Sequence, residues 1–321
     1  MYAFRIDERD RDAIQDKPTG ERASSMRTLR QFVWAFSGIL CCLVCLRTVY
    51  AQHPTSQQAA SEQKRIDGSI RYTSLSAGVW HGLALRADGL VDLLGAAPEH
   101  PERATPGEPL REIAAGFYAS YGIRLDGTLV AWGVEQHGNM DLPKGSFRAI
   151  AVGTYHGLGL RKDGTLAHWG AVSYGLDGVP VGQFRAVAAD GYTDVALRED
   201  GTLVAWGYSG EGATEVPAGK FRAACVGLAI RLDGTLAAWG KDAFGTRTVP
   251  RGKFTAIAIT YGFAAAIGDD GSLVVWGHHP FEDRPLPRGP FTAVAVGSRS
   301  DGTGYLLALR SNGTLCKVGI Q

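Results

Sequence analysis

The chain has 321 residues, 45% of them hydrophobic and 20% charged, with 33 Lys and Arg against 32 Asp and Glu for a net charge of +1. Such a balance excludes a general nucleic-acid binder, which needs a basic excess, and the composition excludes disorder, a coiled coil and a multi-span membrane protein. Glycine is the outlier at 43 residues, and without a collagen period it signals many tight turns.

Residues 1–25 are polar: either an N-terminal extension or a stretch upstream of a start at Met26. From Met26 to Ala51 the chain has the order of a secretory signal peptide. Arg27 and Arg30 precede an apolar run from Phe32 to Leu46, and Val49 and Ala51 are small residues before a cut at Gln52. The run is shorter than the roughly 20 residues a membrane span needs, so cleavage is expected, with an uncleaved anchor as the alternative. Residues 52–69 read as a linker. After cleavage 25 Lys and Arg remain against 26 Asp and Glu, and two cysteines, Cys225 and Cys316, which read as buried free thiols.

Residues 70–321 are one motif written seven times. An Asp-Gly or Asn-Gly pair recurs with its glycine at Gly89, Gly127, Gly164, Gly201, Gly234, Gly271 and Gly313. Six positions after each stands a second glycine, from Gly95 to Gly319, preceded by tryptophan at Trp132, Trp169, Trp206, Trp239 and Trp276. The third repeat shows the unit. Phe147–Gly153 is a short apolar strand, Thr154–His156 a loop, and Gly157–Lys162 a second strand. Asp163-Gly164 predicts a type I′ hairpin, Thr165–Trp169 returns as a third strand, and a weaker fourth ends at Val179-Pro180, where an outermost strand tolerates proline.

The fold class expected is therefore all-β, a seven-bladed β-propeller of four-stranded antiparallel blades. The last repeat stops after its third strand, so residues near Ser61 to Ser69 are expected to supply the missing strand and close the ring.

The pattern A-I-A-x-G-x-x-H-x-L-x-L-R-x-D-G-T-L-x-x-W-G, fullest at Ala149–Gly170, resembles the repeat of the regulator-of-chromosome-condensation superfamily. With Thr248-Val249-Pro250 it is most similar to the bacterial secreted branch of the β-lactamase-inhibitor type. The resemblance covers about Ile70 to Gly319. It implies a rigid propeller that binds other proteins through loops on one face; the eukaryotic branch includes a guanine-nucleotide exchange factor, an activity that fits poorly with an export signal.

Residues found in nearly every repeat, such as Arg86, Arg124, Arg161, Arg198, Arg231 and Arg310, read as scaffold, as do the tryptophans. Function is expected where repeats differ. Loops between strands one and two carry Trp80, Phe117, Tyr118, Tyr155, Tyr192, Tyr261 and Phe263; the loops after strand three emerge on the same face with His137, Tyr174, Tyr208, Phe244, His278, His279 and Phe281. Aromatic anchors dominate binding hot spots, so this face is the candidate binding surface. His81 and His156 share one loop position and are included in it, though expected to bond loop backbone and not metal. His278 and His279 with Glu282 and Asp283 have ligand types without a recognised spacing. The fifth repeat is about four residues short before its second strand and the seventh gains about five near Gly297–Gly304, which predicts a notched and a raised side. No catalytic motif, cofactor or metal site is expected. The partner expected is an extracellular or periplasmic protein bound by a monomer, possible versions being inhibition of an extracellular enzyme, with a carbohydrate-binding propeller or a channel-site hydrolase or lyase as alternatives.

Overall fold

The computed structural model describes residues 70–95, 104–242, 244–260, 262–298 and 304–319. All fall within the compact unit Gly68–Gln321. The polar extension, the signal segment, the expected closing strand and Tyr261 lie outside the described residues. No described helix is long and apolar enough to cross a membrane.

Among the described residues, twenty-one strands form seven sheets of three, each an antiparallel meander of consecutive strands. Blade three, the pattern for the rest, is β7 (Phe147–Val152), β8 (His156–Arg161) and β9 (Leu166–Gly170). The expected fourth strand does not form in the described residues. The segment 171–183 instead carries the chain from the loop end of β9 to the hairpin end of the next blade, where Phe184 N–H meets the Gly164 carbonyl. Its N–H groups close local turns, as in Leu176 to Ser173 and Gly178 to Gly175, and Pro180 has no N–H to add to a ladder.

Every middle strand is buried on both faces, because successive side chains of a strand point to opposite neighbours. In β8, Leu158 and Leu160 pack with Phe184, Ala196 and Trp206 of blade four. Trp169 joins Tyr121 and Ile123 of blade two. Seven such clusters fill the seven blade–blade seams, the one between blades seven and one including Tyr72, Ala84, Tyr305 and Leu307. The tryptophans are scaffold, as expected.

The Asp-Gly hairpins are not type I′ turns. Arg161 N–H bonds the Thr165 carbonyl and Gly164 N–H bonds the Arg161 carbonyl, so the loop has three residues, and of its residues only the glycine has positive φ (+87° at Gly164). This is a type I turn closed by a glycine bulge. Asp163 supports it by accepting from Thr165 N–H at 2.9 Å and Thr165 Oγ1 at 2.7 Å, and Asp126, Asp200 and Asp233 repeat both bonds.

The same hairpin glycine joins the blades. Its carbonyl accepts from the first residue of the next blade at Leu110, Phe147, Phe184, Phe221, Phe254 and Phe291; Tyr72 N–H completes the circle on Gly313 at 2.8 Å. The ring thus closes within the described residues, between blades seven and one, with Tyr305 Oη donating to the Gly78 carbonyl at 2.8 Å and the His81 carbonyl at 2.5 Å.

One residue after that junction, each first strand carries a bulge. In blades two to five the bulged residue is Arg111, Arg148, Arg185 or Arg222, and each guanidinium donates to the carbonyl of Phe147, Phe184, Phe221 or Phe254 on the next blade. Bulges re-aim side chains in this way. Thr73, Thr255 and Thr292 stand there in the other blades and bond within their own sheet. Arg161, Arg198, Arg231 and Arg310 lie over the ring of the first-strand Phe of their own blade, 5.0–5.2 Å from its centroid, a cation–π arrangement more than a pairing with the hairpin acid.

Candidate functional site: an aromatic arc on the loop face

The first strands line a central cavity of about 320 Å³ to which all seven blades contribute. Its wall is small and apolar, with a few polar groups that satisfy the exposed strand edges. Ser76 Oγ accepts from Ala115 N–H at 2.9 Å, and Glu112 Oε1 accepts from Ile150 N–H at 2.9 Å. Burial lifts the Glu112 carboxyl to about 7 against the bond from Ile150, which pulls it down. Burial likewise raises Asp190, which stands where five of the other six repeats have glycine.

Around one mouth of this cavity the loop aromatics meet in a chain. Trp80 and Phe117 are 6.0 Å apart, Phe117 and Tyr118 4.3 Å, Tyr118 and Tyr155 5.3 Å, Tyr155 and Tyr192 6.1 Å. Tyr174 continues it at 4.8 Å from Tyr192 and 5.7 Å from Tyr208, and His137 caps Tyr155 at 4.9 Å. The arc spans four consecutive blades. Tyr174 and Tyr208 are 60% and 41% exposed, His137 is exposed as well, and Trp80, Phe117, Tyr118, Tyr155 and Tyr192 are half-buried. Burial and the bond to Tyr155 push the Tyr118 phenol up to about 12, so it stays a neutral hydroxyl.

Three residues of this face hold backbone that side chains rarely adopt. His137, Tyr174 and Glu211 have φ of 55°, 62° and 60°, each followed by a glycine of positive φ. This is the primed turn, found in these loops and not in the Asp-Gly hairpins. It lifts the side chain of each residue clear of the surface, a cost of about 1–2 kcal/mol per residue that a glycine would not carry.

The remaining expected residues divide. Phe244 is 38% exposed, and His278 is exposed 6.4 Å from it, on the far side of the ring. Phe263 is a correction: it is buried against Phe281 in the seam between blades six and seven. His81 and His156 are also buried, and neither bonds loop backbone through its ring Nε2. Nε2 of His81 meets Ser120 Oγ at 2.8 Å and Nε2 of His156 meets Asp194 Oδ1 at 2.9 Å, in both cases the next blade. All three occupy one loop position, which points sideways into the seam, and no residue type at that position signals this from sequence. Cys225 and Cys316 are free and half-buried; burial lifts the Cys225 thiol to about 12.

The shortened fifth repeat produces the expected notch. Val226-Gly227 turns directly between strands, and the space above it is lined by Tyr208, Glu211, Lys241 and Arg247. The Arg247 guanidinium fills part of it, donating to the Gly227 carbonyl at 2.9 Å.

A propeller of short blades carrying its chemistry on one loop face is the class this geometry defines. No family model matches the chain. In sequence it is 35% identical over 83 residues to the human "Probable E3 ubiquitin-protein ligase HERC3", an alignment spanning 21% of this chain and 8% of that protein. The fold is similar to the ectodomain of the receptor kinase CR4 of Physcomitrella patens (TM-score 0.65, 18% identity, 77% of this chain and 73% of that one). It is also similar to the ectodomain of the Arabidopsis thaliana receptor kinase ACR4 (0.62, 19%, 78% and 98%), and to Prp20p of Saccharomyces cerevisiae, whose structure is described with its binding properties to Gsp1p and histones (0.57, 18%, 66% and 73%). At these identities the likeness establishes the fold.

Proposed function

We propose that the chain is a regulator-of-chromosome-condensation-like propeller that binds a protein partner through the aromatic arc, exported and acting outside the cytoplasm as a monomer. The observation that carries the reading is the unbroken run of rings from Trp80 to Tyr208 over four blades. A scaffold needs none of them, since the seams are already filled by separate clusters. Partly exposed Tyr and Trp in contact with one another form a stiff, amphipathic surface of the kind that supplies hot spots. Protein binding by the yeast neighbour Prp20p supports the class of partner. The repeat pattern, with Met26–Ala51, favours an extracellular enzyme inhibited by occlusion as the concrete version. Among the described residues no group on the face is arranged for chemistry, and we propose no enzymatic activity.

The test is crosslinking capture from the native extracellular fraction, comparing the wild type with Tyr155→Ala/Tyr174→Ala/Tyr208→Ala. A second variant, Leu125→Ala/Leu232→Ala, removes exposed apolar side chains from the hairpin face. A protein lost with the first variant and kept with the second, at preserved Tm, establishes the arc. Equal capture by both refutes it, and glycan binding lost with the first variant alone transfers the site to carbohydrate.

A further inference from the structure

We infer that the seam between blades three and four holds a divalent transition-metal site formed by His156, His168 and Asp194. Each residue offers one donor atom, and the three atoms lie within 4.8 Å of one another. Neighbouring donors around a tetrahedral zinc are roughly 3.3 Å apart, a difference that small side-chain rotations remove. Two imidazoles and a carboxylate suit zinc and its neighbours, and leave a coordination position open.

The surroundings argue for an occupant. Asp194 and His156 are fully buried, and His168 is half-buried and open to solvent on one edge. Their one mutual hydrogen bond uses Asp194 Oδ1 and His156 Nε2 at 2.9 Å. It leaves Asp194 Oδ2, His156 Nδ1 and His168 Nε2 buried without a hydrogen-bond partner. Three unsatisfied polar atoms in one seam are costly, and a buried carboxylate more so unless a cation faces it. The two imidazoles stack at 5.1 Å.

The repeat shows that this is not scaffold. The position of His168 is Leu93, Ala131, Ala205, Ala238, Val275 or Lys317 in the other blades, and that of Asp194 is glycine in blades one and three. Blades one and two make the related contact with one histidine, His81 to Ser120 at 2.8 Å, but Leu93 stands where a second ligand would be. Only at the third seam do all three departures coincide.

The test strips the full chain with chelator and titrates it with zinc chloride, reading stoichiometry, calorimetric affinity and Tm, with cobalt(II) absorption reporting the coordination. One equivalent should bind, raising Tm by about 5–10 °C at a hundredfold excess over Kd. His168→Ala should abolish the shift, since losing a ligand costs more than the roughly 10–100-fold of an outer-shell change; alanine is native at this position in three blades, so the variant folds. Asp194→Asn should weaken binding while keeping the shape of the seam, and His278→Ala/His279→Ala should leave it intact. Absence of saturable binding, binding unchanged in His168→Ala, or binding lost only in the His278/His279 variant would each overturn the site.

Discussion

Glu112 gives the fold a pH dependence that can be isolated by one substitution. Its carboxyl moves from 4.5 in the open chain to about 7 in the folded one, burial being the main cause. A raised acid contributes stability that is complete below pH 4.5 and is lost as pH climbs through 7. At 1.36 kcal/mol for each tenfold change the loss is bounded by about 3 kcal/mol, and because the group is only half-buried, about half of that is expected. Glu112→Gln keeps an oxygen for Ile150 N–H and removes the charge. Its Tm should match the wild type near pH 4.5 and exceed it at pH 8 by about 3–6 °C, at 2–4 °C per kcal/mol for a domain of this size. Melting curves of both proteins across that range decide the matter. Parallel profiles, with no gap opening above pH 6, would show that Glu112 is not buried as a carboxylic acid and refute the reasoning.

The hairpin acids act in the opposite sense: bonds from the following Thr or Ser hold Asp126, Asp163, Asp233 and Asp270 below the usual range, so their contribution fades as pH falls, and with Glu112 and Asp190 raised, Tm should peak in mild acid. Tyr305→Phe removes both bonds that Oη makes to blade one and should cost about 1–3 kcal/mol in chemical denaturation. Tyr174→Gly relieves the positive φ of 62° and should stabilise the fold by about 1 kcal/mol, while weakening partner capture; a destabilised variant would show that the loop is held by the Tyr174 ring itself. Gly164→Ala, at φ +87° with Gln183 in the way of a Cβ, should cost about 1–2 kcal/mol.

The sequence determined the number of blades and which residues build them, because the unit is local. An apolar strand, a glycine at fixed distance after Asp, and Trp-Gly six residues on specify a meander wherever they recur, and seven copies too small to bury their own faces must share them. It also placed the aromatic loops on one face, since an up-and-down meander alternates its ends. Sequence could not separate Tyr155, which reaches the arc, from His156 beside it, which turns into the seam, nor show that Phe263 is core; that depends on the rotation of one blade against the next. The fourth strand expected at residues 171–183 does not form for a related reason, as their pattern permits an extended chain but only the tertiary structure decides whether a ladder partner lies within reach. The bulge that aims Arg111, Arg148, Arg185 and Arg222 at the following blade, and the meeting of His156, His168 and Asp194 from two sheets, are contacts between repeats, and a repeat read one copy at a time contains no record of them.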